Sequence, residues 1–106
     1  MNYQTIEIDH KNDELFIKIL ESRIYLGVTD LFADEMAHIS TLDFKNMTVD
    51  MKKVSVMNSS GIGVLIKTRD ELLKQGKSIR LIHMQPLMTD IFNRMRLDTL
   101  FKISSE

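Results

Sequence analysis

The sequence predicts an α/β fold: a mixed β-sheet with helices packed mainly on one face. Three observations lead there. Short runs with strand-like apolar character are interleaved with longer runs whose apolar residues recur at helical spacing. The first two strand-like runs are joined only by a turn signal at Asn12-Asp13, which makes them an antiparallel pair. Further on, the order strand, helix, strand implies a right-handed parallel crossover. A sheet that holds both kinds of neighbour is mixed.

The elements follow in order. Residues 3–9 alternate, with Ile6 and Ile8 on one parity and Tyr3, Thr5 and the acids on the other, which reads as a half-buried strand. Leu15-Phe-Ile-Lys-Ile-Leu20 is a second, more apolar and more central strand, and Arg23-Ile-Tyr-Leu26 a short third one broken by Gly27. Thr29 or Asp30 is expected to cap a helix carrying Leu31, Phe32, Met36, Ile39 and Leu42, since each side-chain oxygen can accept from the free N–H groups of a first turn. Asp34 and Glu35 lie early in that helix, where the dipole favours acids. Residues 46–51 form the next strand, Lys52-Lys53 interrupts it, and Val54-Ser-Val56 resumes an extended pattern. A helix from Ser60 presents Ile62, Leu65, Ile66, Leu72 and Leu73, and ends at Gly76 as a left-handed cap. Ile79-Arg-Leu-Ile82 is a strand, Pro86 fits the first turn of a last helix, and Leu100-Phe-Lys-Ile103 closes the chain as a strand.

A chain of 106 residues is most simply one domain, spanning 1–106. It is 43% hydrophobic and 27% charged, a composition that folds. The net charge is −1, but residues 1–53 carry ten acidic and six basic side chains and residues 54–106 five acidic and eight basic. Lys67, Arg69, Lys74, Lys77 and Arg80 are spread along one helix and its exit rather than clustered, so no nucleic-acid partner is expected. There is no cysteine, which excludes disulfides and thiolate metal sites. The start of the chain lacks the pattern of a signal peptide, and no apolar run approaches the ~20 residues that span a bilayer. A cytoplasmic location is expected, without membrane insertion, and the protein is expected to be a monomer.

The polar cluster best placed for chemistry is Asn58-Ser59-Ser60-Gly61-Ile62-Gly63, between a strand-like piece and an apolar helix. Asn and Ser favour the N-cap, Gly61 and Gly63 permit close approach of another backbone or a ligand, and helix N-termini attract anions. The plain reading is a capped helix with glycines that ease packing. A dinucleotide fingerprint is incomplete, because position 66 is Ile where a third glycine would stand. A serine nucleophile needs a base, and His10, His38 and His83 are scattered; no spacing suggests a metal site. Neither catalytic residues nor a cofactor are expected. Phosphorylation is the remaining chemistry: a phosphoserine adds about −1.5 to −2 charge, which a helix N-terminus supports while an acidic or apolar partner surface is repelled.

Val54-Ser-Val-Met-Asn-Ser-Ser-Gly-Ile-Gly-Val-Leu-Ile66 resembles the signature of STAS domains, in particular the bacterial anti-sigma-factor antagonists. Gly76, Ile79–Ile82, the helix from Pro86 and Arg96-Leu-Asp-Thr-Leu-Phe-Lys-Ile103 resemble the rest of the family pattern, from about residue 47 to 103. The resemblance implies a sheet of four or five strands with about four helices, and no catalytic activity. It implies binding to a serine kinase that is also an anti-sigma factor, phosphorylation of Ser59 with release of the antagonist, and restoration by a phosphatase. Asn58, Ser59, Ser60, Gly61 and Ile62 would lie at the docking surface, flanked by the loop with Thr29 and Asp30. The sequence departs from the family at Asn58, where an acid is usual. Two other outputs use the same surface: a biofilm or secretion circuit, and an unphosphorylated docking subunit of a transporter ATPase complex.

Overall fold

The computed structural model describes residues 2–104. Its five-stranded sheet has the order β1-β2-β4-β6-β7, and a separate two-stranded ribbon pairs β3 with β5. β1 (Ile6–Lys11) runs antiparallel to β2 (Glu14–Ile19), turning at Asn12, whose φ of 54° a short polar side chain tolerates. β2, β4 (Asn46–Asp50), β6 (Ser78–Ile82) and β7 (Lys102–Ser104) are mutually parallel. The mixed sheet, the antiparallel opening pair and the parallel crossover are those expected from sequence.

Period-two alternation decides which face is covered. Leu15, Ile17 and Ile19 of β2, Met47 and Val49 of β4, and Ile79 and Leu81 of β6 share one face and are buried. They join one core with Phe32, Met36 and Ile39 of α1 (Gly27–Ile39), Ile62, Leu65 and Leu72 of α2 (Ser59–Lys74), and Met88 and Phe92 of α3 (Pro86–Arg94). All three helices therefore cover the same face. On the opposite parity Asp9, Phe16, Arg80 and Lys102 are exposed, whereas Thr48, Asp50 and Ile82 of the central strands are buried.

Several expectations are corrected. The first helix begins at Gly27, so neither Thr29 nor Asp30 is its cap. Leu26 holds the cap position without a side-chain hydrogen bond, and Thr29 is 7% exposed inside the first turn. The strand expected over residues 23–26 is only Arg23–Ile24. The extended piece near residue 54 does not prolong β4: after a turn at Lys52-Lys53 it becomes β5 (Val56–Met57), which pairs with β3 instead. The described residues hold three α-helices and one 3₁₀ turn, Leu97–Thr99, where about four helices were expected. Gly76 takes φ 74° and ends α2, and Pro86 opens α3, as expected.

Candidate functional site

The β3–β5 ribbon builds the site. The strands run parallel, with Arg23 opposite Val56 and Ile24 opposite Met57. The Asn58 N–H extends the pairing by donating to the Ile24 carbonyl at 3.0 Å. β3 leads to α1 and β5 to α2, so the start of each helix emerges from one side of the same ribbon. Gly61 makes this close packing possible: a β-carbon there would sit 2.9 Å from Ile24 Cγ2 and 3.2 Å from Met57 Cγ. Gly63, two residues further along the chain, is exposed and has nothing within 4 Å of such a β-carbon.

Asn58 caps α2. Its backbone is extended, its Oδ1 accepts from the Gly61 N–H at 2.8 Å, and its carbonyl accepts from the Ile62 N–H at 3.0 Å. That leaves Ser59 and Ser60 as the first two helical residues. Both are exposed, and among the described residues neither hydroxyl has a hydrogen-bond partner. The first turn holds no acidic residue, so the positive end of the α2 dipole has no counter-charge there. Asn58 performs the cap as a neutral acceptor and keeps a carboxylate away from the serines.

The expected docking residues thus divide. Asn58, Ser59, Ser60 and Asp30 face solvent. Gly61, Ile62 and Thr29 face inward, with Ile62 3% exposed in the core. They shape the surface and do not present side chains on it. Sequence reasoning missed Tyr25 and Leu26, which are 45% and 76% exposed on the loop from β3. Leu26 has φ 52° and ψ −132°, a conformation that a residue with a β-carbon enters only under strain. The signal available was an apolar pair directly before Gly27 in a loop.

The three histidines are engaged elsewhere. His10 Nε2 lies 2.7 Å from the Asp43 carbonyl, His38 Nδ1 2.7 Å from the Tyr3 hydroxyl, and His83 Nδ1 3.1 Å from Asp50 Oδ1. Neither serine therefore has a hydrogen-bonded base among the described residues, and no group of three or more His, Asp or Glu among them is arranged to hold a metal ion.

The STAS domain model matches residues 5–106. Solved structures share the fold. An anti-sigma factor antagonist from Mycobacterium paratuberculosis superposes with a TM-score of 0.84 at 14% identity, over 96% of this chain and 86% of that one. The Bacillus cell fate determinant SpoIIAA in its phosphorylated form gives 0.72 at 14%, over 95% and 92%. The murine Solute Carrier 26 family member A9 anion transporter gives 0.75 at 14%, over 90% of this chain but 16% of the transporter.

Proposed function

The chain belongs to the STAS domain family, and from that premise we propose that it is an anti-sigma-factor antagonist switched by phosphorylation of Ser59. Unphosphorylated, it binds a serine kinase that doubles as an anti-sigma factor, in the cytoplasm, and frees a sigma factor. The kinase phosphorylates Ser59 and the complex dissociates; a serine phosphatase resets it. The protein acts by binding and has no enzymatic step of its own.

The observation that carries this reading is the division of labour at the start of α2. Asn58 takes the cap, so the Ser59 hydroxyl is exposed and its modification breaks no internal bond. A phosphate there is supported by the helix N-terminus and adds charge where the paired β3 and β5 end, β3 running on into the exposed Tyr25 and Leu26. Binding to an apolar or acidic partner is then opposed while the fold persists.

Incubation with ATP and the cognate serine kinase, followed by mass spectrometry, is expected to place one phosphate on Ser59. Ser59→Ala is expected to retain kinase binding, and Ser59→Asp to weaken it about tenfold or more, the scale of placing a charge in an interface. Equal affinity of the two variants, with no phosphate on Ser59, would favour the unphosphorylated docking subunit of a transporter complex.

A further inference from the structure

The sheet face that carries no helix is not electrostatically neutral across its width. Register places Asp9, Phe16, Thr48, Arg80 and Lys102 in one row from β1 to β7. Asp9 stands at one end and Arg80 with Lys102 at the other, while Phe16 is 37% exposed between them. Among the described residues, Asp9, Arg80 and Lys102 form no ion pair; Arg80 Nε donates to the Thr48 hydroxyl at 3.1 Å. Strands lie about 4.8 Å apart, so the two ends of the row are roughly 19 Å apart. That exceeds the screening length of about 8 Å at physiological salt, and the ends do not neutralise each other within one molecule. Parallel strands are also ordinarily covered by helices on both faces, and here β2, β4, β6 and β7 carry helices on one; on the other, Phe16, Arg80 and Lys102 are exposed around the buried Thr48, Asp50 and Ile82.

We propose that this face seats a second copy of the chain, related by a two-fold axis running along β4. β4 is the middle strand of five, so such an axis exchanges β1 with β7 and β2 with β6. It lays Asp9 of each copy over Lys102 of the other and Phe16 over Arg80, with the 8% exposed Thr48 recessed at the axis between them. The opposite charges at the row's ends become pairs, and the exposed Phe16 ring meets a guanidinium, a favourable cation–π arrangement. Glu14 meets Ser78 and Asn46 meets Asn46 in the neighbouring row. In the third row Lys18 meets the buried Ile82, and Asp50 lies on the axis at 6% exposure, its Oδ1 held within its own copy by the Lys52 N–H at 2.9 Å and His83 at 3.1 Å. The interface is isologous and closes at two copies. α2 is on the other side of the sheet, so Ser59 of both copies stays accessible. The inference is independent of the phosphorylation switch and stands against the monomer expected from sequence.

Sedimentation equilibrium of the purified chain tests it. With few exposed contacts around a buried centre, a weak interface is expected, with half-dimerisation at roughly 0.1–1 mM in low salt, shifting to higher concentration in 0.5 M salt. Asp9→Lys and Lys102→Asp are each expected to weaken self-association about tenfold, and the double swap to restore it. Both positions are exposed, and circular dichroism checks that the three variants fold. A chain monomeric at 1 mM in low salt overturns the proposal. So does a dimer that neither charge reversal affects.

Discussion

At the scale of single residues, Glu35 carries the sharpest conflict between burial and charge. It is 8% exposed, yet its carboxylate accepts from the Gln4 N–H at 2.6 Å, the Thr5 N–H at 2.8 Å and the Thr5 hydroxyl. Burial pushes its pKa up, but these donors together outweigh it and hold the group below its ordinary value of 4.5. Beside it, the Tyr3 hydroxyl meets His38 Nδ1 at 2.7 Å, so two residues of α1 fasten the segment that leads into β1. Glu35→Gln keeps the shape, removes the charge, and turns an amide N–H₂ toward donors. A loss of about 1–3 kcal/mol at pH 7 is expected, the range for a charged acceptor lost from buried donors. Because the folded pKa is depressed, the carboxylate's contribution is complete above 4.5 and fades as pH falls through the folded value. Thermal melts should therefore show wild type and variant diverging at neutral pH and converging in acid; a gap that stays constant down to acid would remove the charge from the explanation. The sequence offered Glu35 only as an acid near a helix start, since its partners lie some 30 residues away and only the fold brings them together.

At the scale of elements, the α2 start joins two glycines that look alike in sequence and do different work. Gly61 faces Ile24 and Met57 and leaves no room for a methyl group, whereas Gly63 points into open space. Gly63→Ala is expected to stabilise the chain by about 0.5–1 kcal/mol, the usual gain from replacing glycine inside an exposed helix. Gly61→Ala should instead destabilise it, because β3 must shift away from α2 to admit the added carbon. Chemical denaturation of the two variants separates these roles; stabilisation by both would mean that the ribbon tolerates displacement. The extent of α2 was legible because its apolar positions recur at helical spacing and Gly76 marks its end. The start of α1 was not, since Leu26 replaces the polar cap that a sequence reading looks for. The ribbon was not legible either: strands of two residues carry no period, and Val54–Val56 read as a continuation of β4.

At the scale of the whole molecule, the sheet was readable because each strand of the main layer encodes its own buried face, and the pairings follow from turn length and crossover hand. The candidate site was readable as a motif but not as a surface. Burial of Gly61, Ile62 and Thr29, and exposure of Leu26, depend on the ribbon that sets α1 and α2 side by side. The same arrangement determines what a charge at Ser59 does to the fold. α2 sends Ile62, Leu65 and Leu72 into the core, while Ser59 stands outside it with no internal bond to lose. The first turn of α2 contains no acid, and a negative group at such a position contributes about 0.3–1 kcal/mol through the helix dipole. Ser59→Asp is therefore expected to raise the melting temperature by roughly 1–8 °C, at the rate of about 4–8 °C per kcal/mol for a domain near this size. High salt should shrink the increase, because the dipole interaction is screened. Calorimetry on the purified chain decides the matter without any partner. A lower melting temperature for Ser59→Asp, with Ser59→Ala lowered as well, would give the hydroxyl a structural role, and a switch at Ser59 would then have to act by loosening the domain rather than by changing its surface.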